Sequence, residues 1–263
     1  MNNINITRRR LLGTTLATGS AIALGGCNRL DPLIQSGHTA RTILESASSL
    51  SFRVQRWLSS GTSLAREYQR SDIRQQQHAN GTISPRDVDY LNLASNQFSD
   101  YSLKVNGLVG NELSLDLDTL RKLPARAQIT RHDCVEGWSC IGEWTGVQLS
   151  TILEMAKPHP EARFAVFDCF DTMERGLSGS VKYYESIDMV DAMHSQTILA
   201  YGLNQKTLPV ANGAPLRLRV ERQLGYKHAK YVKSITLVAT LKDIARGNGG
   251  YWEDRGYAWY AGI

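Results

Sequence analysis

Apolar positions in the first third of the chain recur with the period of a helix. Five of them are spaced three and four residues apart: Ile43, Ala47, Leu50, Val54 and Trp57. Such spacing places them on one face of an α-helix. Gly61 interrupts this stripe, and Leu64 and Tyr68 resume its phase. The pattern predicts either a helix or helix pair packed on the body of the protein, or a stalk or partner-contact helix.

Beyond residue 80 the pattern changes to short apolar runs separated by turn residues. We expect strands over 101–105, 127–130, 164–167, 216–220 and 234–238. A short strand followed by a helical turn is expected over 113–123, and a helix over 147–156, ended by Pro158. Asn106-Gly107 predicts a tight turn before Leu108. Short helices, strands and long loops intermix, so the predicted fold class is α+β with mixed β-sheets.

The N-terminus has the pattern of an export signal. Three arginines, Arg8 to Arg10, precede Leu11 and a run of small and apolar residues that continues to Ala23. The run is too short and too weakly apolar for a membrane span, so a cleavable signal is predicted. Arginines before paired leucines are typical of twin-arginine export, which carries folded proteins. An ordinary secretory signal is the alternative.

A candidate lipid-attachment site ends this signal. Leu24-Gly25-Gly26-Cys27 resembles a bacterial lipobox, in which the cysteine is acylated and becomes the mature N-terminus. Acyl chains there would anchor the protein to a membrane surface without spanning it. The alternative is a cysteine incidental to a signal cleaved slightly later. The predicted localisation is the periplasm, with lipid anchoring after twin-arginine export.

Composition limits the classes of partner and of framework. Removing residues 1–26 lowers the formal charge from +5 to +2, so charge gives no reason to expect nucleic acid. No apolar run after residue 27 is long enough to span a bilayer. Besides Cys27, the cysteines are Cys134, Cys140 and Cys169, an odd number for a disulfide framework. A Cys140–Cys169 pair is possible and would leave Cys134 free.

Cys134 lies in polar surroundings that are unusual for a structural cysteine. His132 and Glu136 flank it two residues away on either side, and in an extended segment all three side chains share one face. A thiolate is a soft metal ligand or a nucleophile. The spacing to Cys140 fits no common zinc motif. From the residues alone, a metal ligand, the nucleophile of a hydrolase and a structural cysteine all stay open.

Two downstream motifs are suited to binding an anion. Asn212-Gly213-Ala214-Pro215 marks a turn that leads into a predicted strand, with Arg217 near its start. An arginine there can bind a phosphate or a heterocycle edge through paired hydrogen bonds. Eight residues later begins the basic loop 225–233, which interleaves lysines, a histidine and tyrosines. Solvated surface positions are the alternative for both motifs. The aromatic-rich segment 249–260 is expected to pack on the body, where it walls a pocket or caps the core.

Together these motifs resemble the sulfite-oxidase-like molybdopterin oxidoreductases. The resemblance covers roughly residues 95–263 and depends on Cys134-Val135-Glu136-Gly137-Trp138-Ser139, Asn212-Gly213-Ala214-Pro215-Leu216-Arg217 and Gly225-Tyr226-Lys227-His228-Ala229-Lys230. It is strongest with the bacterial periplasmic branch, which includes the catalytic subunit of a methionine-sulfoxide reductase. The resemblance implies a sulfite-oxidase-like fold and a molybdenum–molybdopterin cofactor.

The resemblance also implies roles for individual residues. Cys134 would supply the protein thiolate to molybdenum. The residues implied in cofactor binding are Asn80, Cys169, Asn212, Arg217, His228, Ala229 and Lys230. Cys169 stands where the reductase has a threonine, which departs from the family's pattern. Glu136 and His132 are candidate catalytic residues because they adjoin Cys134 and could relay protons or orient the substrate.

The sequence therefore predicts an oxidoreductase that performs oxygen-atom or two-electron transfer on a small substrate. No Cys-x-x-Cys-His haem-attachment motif occurs, so a membrane cytochrome of b type or a soluble periplasmic carrier is expected to exchange the electrons. The predicted organisation is a signal with lipobox over 1–27, a helical spacer or partner-contact region over 28–80, and the molybdopterin-binding domain over 81–263. The alternatives are a non-catalytic periplasmic binding lipoprotein that retains the fold, and a cysteine hydrolase.

Overall fold

The computed structural model describes residues 39–58, 61–176 and 179–263. The predicted signal, Cys27 and residues 28–38 lie outside the described residues. The chain divides into two units, residues 1–50 and 51–263, and the site described below lies in the second. No helix among the described residues is long and apolar enough to cross a membrane.

Short helices and strands alternate along the described chain. The α-helices are α1 Thr39–Leu58, α2 Val88–Ser95, α3 Leu117–Lys122, α4 Leu149–Ala156 and α5 Met189–Ala192. The strands are β1 Ser102–Gly107, β2 Leu113–Asp116, β3 Ala125–Asp133, β4 Ser139–Gln148, β5 Phe164–Gly176, β6 Gly179–Asp188, β7 Ile198–Leu203, β8 Lys206–Thr207, β9 Arg217–Arg219 and β10 Val232–Val238. Single 3-10 turns occupy Arg70–Asp72, Val210–Asn212, Gly225–Lys227 and Glu253–Arg255.

The strands form two five-stranded sheets. The first has the order β2-β1-β10-β5-β6, in which only the β1–β10 pair is parallel. The second has the order β3-β4-β7-β8, with β9 also paired to β7, and is antiparallel throughout. Mixed and antiparallel sheets with few short helices confirm the predicted α+β class.

The core lies between the first sheet, helix α4 and the inner residues of β7 and β9. Leu103, Phe167 and Ile235 from the first sheet are fully buried with Ile152 of α4 and Leu218 of β9. Strand positions alternate between buried and exposed, as in β10, because one face of the sheet packs on this core. Asp87 and Asp116 begin α2 and α3 by accepting hydrogen bonds from backbone amides of the first turn.

Most predicted elements are present, and the differences have local causes. The helix predicted over 147–156 begins at Leu149, because Val147 and Gln148 complete β4. The tight turn predicted at Asn106-Gly107 is wrong. Both residues belong to β1, which pairs with β10, and a five-residue loop then leads to β2. The predicted helical phase at Leu64 and Tyr68 is also wrong, since residues 62–69 form no helix.

Helix α1 has the predicted apolar stripe, but the part of it beyond residue 50 is exposed. Val54 is 43% exposed and Trp57 is 82% exposed. The opposite side of the helix contacts the body instead. Arg56 forms ion pairs with Asp188 and Asp191, and Phe52 packs edge-on against Tyr260. Position on the stripe therefore does not predict which side of α1 is packed.

Residues 61–80 lie against the second sheet. The Tyr68 amide donates to the Ile129 carbonyl at 2.9 Å, and the Arg74 amide donates to the Ile141 carbonyl at 3.1 Å. Arg70 forms an ion pair with Glu143. This segment, which the sequence assigned to the spacer region, thus belongs to the same compact unit as the body. The predicted boundary at residue 80 stays a prediction.

Candidate functional site

Cys134 lies at the first position of the turn that joins β3 to β4. The Cys134 amide donates to the Trp138 carbonyl at 2.9 Å, and the Gly137 amide donates to the Cys134 carbonyl at 3.0 Å. Gly137 has φ of +86°, which a glycine adopts without strain. Burial raises the pKa of the Cys134 thiol, and the Glu136 carboxylate adds to this rise, while the Glu136 backbone amide and Arg217 act in the opposite sense. The turn thus presents a buried thiol at the end of two paired strands.

The extended geometry assumed for His132, Cys134 and Glu136 is wrong because the chain turns after Asp133. Glu136 is exposed on the outside of the turn, and its carboxylate accepts a hydrogen bond from the Trp138 indole at 2.8 Å. His132 ends on β3 beneath the turn and is buried. One of the two side chains flanking Cys134 is therefore exposed and the other is buried.

The position of His132 makes it a neutral imidazole. Arg219 donates to its Nδ1 at 2.9 Å, so the proton must lie on Nε2. Burial and the cations Arg217 and Arg219 lower its pKa well below the usual range. The ring is packed against the Gly225 backbone, where a Cβ atom would clash with it. This environment disfavours the charged imidazolium that a proton relay would require.

His228 is the second buried neutral imidazole. Its Nε2 lies 2.9 Å from the Val220 carbonyl and 3.1 Å from the Gln223 carbonyl, so Nε2 carries the proton and Nδ1 is an acceptor. Burial and Arg219 lower its pKa well below the usual range. The rings of His132 and His228 lie 5.2 Å apart in an edge arrangement. The turn and the basic loop therefore meet directly.

Arg217 joins two of the predicted binding segments. It donates to the Asn212 carbonyl at 3.1 Å and to the Asn80 side-chain oxygen at 2.9 Å. The guanidinium is buried and lies 5.0 Å from the centre of the Trp144 ring. Burial and the neighbouring Arg219 lower its pKa to about 9. Asn80, which precedes the family-matched region, is thus brought to the site by a direct contact.

Lys230 fixes the segment that follows Asn80. Its ammonium group donates to the carbonyls of Asn80 at 2.8 Å, Thr82 at 2.5 Å and Ala211 at 2.7 Å. Burial and Arg217 lower its pKa to about 7, while three carbonyl acceptors and Asp171 favour the charged form. Ala229 is buried between these groups, and its carbonyl accepts from the Leu218 amide of β9.

Cys169 and Cys140 differ from Cys134 in their surroundings. Cys169 is buried in the core on β5, where burial raises its pKa well above the usual range. It does not line the cavity described below. Cys140 lies on β4, and its thiol is 3.3 Å from the Gln77 side-chain oxygen. Cys134, Cys140 and Cys169 are all free thiols, so the Cys140–Cys169 pair is not formed.

The site opens into a cavity of about 700 Å³ including its mouth. Five predicted residues line it: Asn80, Cys134, Glu136, His228 and Lys230. Trp252 and Tyr257 also line it and lie 5.2 Å apart in a stacked arrangement. The aromatic C-terminal segment therefore packs on the body and walls a pocket. Sequence reasoning missed Asp171, Met173 and Tyr183, which reach the cavity from β5 and β6 and carry no motif.

The buried polar atoms of this region fit a molybdopterin. His132 Nε2, Arg217 Nε and His228 Nδ1 have no hydrogen-bond partner among the described residues. Unpartnered buried donors and acceptors are costly and point to a bound polar group. Cys134 supplies a soft sulfur beside them, whereas no cluster of three or more His, Cys, Asp or Glu side chains occurs in the described part of the chain. A thiol in the same region as buried nitrogen atoms that lack hydrogen-bond partners suits a metal carried by a pterin better than a metal held by protein ligands alone.

Comparisons with known proteins agree with this geometry. Residues 90–244 match the model of the oxidoreductase molybdopterin-binding domain family. The chain is 34% identical over 255 residues to an Azospira oryzae protein provisionally named protein-methionine-sulfoxide reductase subunit YedZ1, covering 97% of this chain and 87% of that protein. It is 31% identical over 181 residues to the protein-methionine-sulfoxide reductase catalytic subunit MsrP of Campylobacter jejuni, covering 66% of this chain and 60% of that protein.

Among solved structures, the sulfane dehydrogenase SoxCD from Paracoccus pantotrophus aligns with a TM-score of 0.48 and 23% identity, covering 54% of this chain and 39% of that chain. The family match and the two sequence relatives confirm the resemblance drawn from the cysteine, arginine and lysine motifs. The chain therefore belongs to the oxidoreductase molybdopterin-binding family and is an oxidoreductase whose cofactor is molybdenum–molybdopterin.

Proposed function

We propose that this protein is the catalytic component of a methionine-sulfoxide reductase that acts in the periplasm. Cys134 ligates the molybdenum, and electrons come from a separate membrane cytochrome of b type. The observation that carries the proposal is the meeting of Cys134 with Asn80, His228 and Lys230 at one cavity. These residues come from three separate parts of the chain. Each was identified in the sequence, either from the motif that contains it or from the family resemblance.

The proposed roles follow from the contacts of each residue. Cys134 holds the metal, Arg217 and Asn212 bind the pterin end, and the loop of His228, Ala229 and Lys230 borders the phosphate. Lys230 acts by fixing the Asn80–Thr82 segment, because its three protons are already donated to carbonyls. The bound cofactor supplies oxygen-atom transfer coupled to two-electron redox chemistry.

The cavity wall suits an uncharged sulfoxide. Met173, Trp252 and Tyr257 give it an apolar, partly aromatic surface. Lys230 is the sole Lys or Arg among its described lining residues, and no proton of its ammonium is free. A substrate anion such as sulfite would find no free ammonium proton among these lining residues, whereas a methyl sulfoxide needs apolar contact and a proton donor. The names of both sequence relatives support methionine sulfoxide as the substrate.

Export and the electron partner complete the proposal. The arginines and leucines at 8–12 support twin-arginine export, and Leu24-Gly25-Gly26-Cys27 supports lipid anchoring in the periplasm. The absence of a Cys-x-x-Cys-His motif from the sequence supports a separate electron carrier. The printed name of the Azospira oryzae relative calls it a subunit, which supports a separate partner protein.

The test is chemical analysis and turnover of the natively exported full chain. We expect equimolar molybdenum and pterin, and reduction of methionine sulfoxide with a chemically reduced viologen dye as electron donor. Folded protein without molybdenum would instead favour the periplasmic binding lipoprotein. Labelling of Cys134 by an electrophile that stops hydrolysis in metal-free protein would favour the cysteine hydrolase.

A further inference from the structure

Two carboxyl groups line the cavity, and they differ in environment. Glu136 is exposed and accepts a hydrogen bond from the Trp138 indole. Asp171 is only 5% exposed and comes from β5, on the opposite sheet from Cys134. Burial disfavours the charged form of a carboxyl, so a buried one holds its proton more tightly. Asp171 is therefore the better placed of the two to store a proton inside the cavity.

A β-bulge directs Asp171 into this wall. Asp168 pairs with Tyr184 and Thr172 pairs with Lys182, so four steps along β5 match only two along β6. The extra residues bend the strand and redirect its side chains. Asp171 lies within this irregular stretch and lines the cavity, while Asp168 stays on the exposed face and accepts from the Ser234 hydroxyl. The two aspartates on one strand thus have different surroundings.

Among the described residues, the Asp171 carboxyl forms no ion pair. Its Oδ1 has no hydrogen-bond partner among the described residues. Lys230 is close enough to lower its pKa, but the Lys230 ammonium donates to three carbonyls, and Lys182 is paired with Asp87. The titratable groups that influence it or are influenced by it are Lys230, Lys182, Tyr90, Tyr183, Tyr231 and Cys169. Burial outweighs the two lysines and the hydrogen bonds from the Thr82 hydroxyl and the Asp171 backbone amide, and it raises the pKa of Asp171 to about 6.

We propose that Asp171 is a catalytic residue that donates a proton to the oxygen leaving the substrate. This inference rests on the proposed sulfoxide reduction. In that reaction the sulfur–oxygen bond breaks, two electrons arrive from a haem-containing donor by way of the cofactor, and the oxygen takes up two protons to leave as water. Asp171 gives one proton, and the second comes from bulk solvent as a hydronium ion, which leaves as water. The Asp171 carboxylate then recovers its proton from solvent through the cavity mouth.

The test compares three substitutions in the exported holoenzyme. Asp171→Asn keeps the size and polarity of the side chain but cannot donate its proton, Asp171→Glu restores a carboxyl, and Asp168→Asn is the matched control on the same strand. Molybdenum content should be equal in all of them. With reduced viologen and methionine sulfoxide, we expect kcat of Asp171→Asn to fall by about 100-fold with little change in KM. Wild-type kcat should fall as the pH rises through the pKa of Asp171, and this limb should be absent from the asparagine variant.

A readout independent of turnover is the infrared carbonyl stretch of a protonated carboxylic acid. We expect a band that titrates near pH 6 in wild type and in Asp168→Asn, and that is missing in Asp171→Asn. Asp171→Glu should recover the pH limb and part of kcat. Wild-type kcat and an unchanged pH profile in Asp171→Asn would overturn the role of Asp171 while leaving the proposed function intact. A molybdenum-loaded wild type that reduces no sulfoxide would overturn the proposed function and this proton step together.

Discussion

At the scale of single residues, one buried lysine is shared by two buried carboxyl groups. Lys227 is fully buried and donates to Glu185 at 2.5 Å and to Glu253 at 2.6 Å. Burial would lower the pKa of Lys227, but the two carboxylates raise it above its usual value. One oxygen of each carboxylate has no partner among the described residues, and burial raises the pKa of Glu185 well above its usual range. The group holds Glu253, and with it the adjoining cavity residue Trp252, against β6.

Removing the shared cation should be costly. Lys227→Met leaves two buried carboxyl groups facing each other, and breaking a buried ion pair in this way costs about 3–5 kcal/mol. We expect the free energy of unfolding in urea to fall by that amount. Lys122→Met, on the exposed last turn of α3, is the control and should change it by less than about 0.5 kcal/mol. Equal stability of the two variants would mean that the three buried groups are not coupled as described.

Asp171 should also affect stability as a function of pH in the cofactor-free protein. Its pKa is about 6 in the folded state against 3.8 for the ordinary side chain. The folded state therefore holds the extra proton between these values, and stability falls as the pH rises from about 4 through 6. Relative to Asp171→Asn, wild type should lose up to roughly 3 kcal/mol across this interval. Urea unfolding at several pH values measures the difference, and parallel curves for the two proteins would contradict the assigned environment.

At the scale of elements, the β3–β4 turn depends on the loop that packs beneath it. A Cβ atom added to Gly225 would clash with the His132 ring and lie 3.1 Å from the Asp133 carbonyl. Because neither the ring nor the backbone can move without displacing Cys134, this glycine sets the spacing between the turn and the basic loop.

Gly225→Ala should therefore impair both stability and cofactor retention. Overpacking a dense site costs about 1–3 kcal/mol, and the displaced turn should lower the molybdenum content of the purified protein. Gly61→Ala is the control, since its added Cβ would meet only Val190 at an ordinary 3.4 Å. Thermal unfolding and metal analysis check both variants, and full molybdenum loading in Gly225→Ala would show that the turn tolerates displacement.

The elements also show what the sequence can and cannot predict. Strands β5 and β10 were predictable because β5 begins with the apolar run 164–167 and β10 alternates apolar and polar residues over 234–238. The turn at Cys134 was not, since His132, Cys134 and Glu136 have the spacing of a strand until Gly137 takes a positive φ. The motifs located Cys134, Arg217 and Lys230 because each carries a distinctive chemistry. Asp171 carries none, and its role arises from a bulge in the pairing of β5 with β6.

At the scale of the whole molecule, the candidate site is contacted by residues that precede the family-matched segment. Asn80 accepts from Arg217, Thr82 accepts from Lys230 and Tyr231, and Arg70 pairs with Glu143. The compact unit begins at Ser51. Residues 61–80 therefore belong to the same compact unit as the site, whereas residues 1–50 form a separate unit.

Two internal deletions with the signal retained should separate these regions. Deleting residues 28–50 should leave viologen-linked kcat within about twofold of wild type and reduce only electron transfer from the membrane. Deleting residues 28–80 should abolish molybdenum retention, because it removes the Asn80 contact to Arg217 and the Arg70 pair. Metal content and viologen-linked turnover are the measurements. A cofactor-loaded 28–80 deletion would contradict the contribution of this segment to the site.

The central claim is that Cys134 is the protein ligand of the molybdenum, and X-ray absorption at the molybdenum edge tests it most directly. Wild type, Cys134→Ser and the buried control Cys140→Ser are purified after native export, and the sulfur ligands of the metal are counted in each. The account predicts one sulfur fewer in Cys134→Ser, together with loss of sulfoxide reduction, and an unchanged count and activity in Cys140→Ser. An equal number of sulfur ligands in wild type and Cys134→Ser would contradict it.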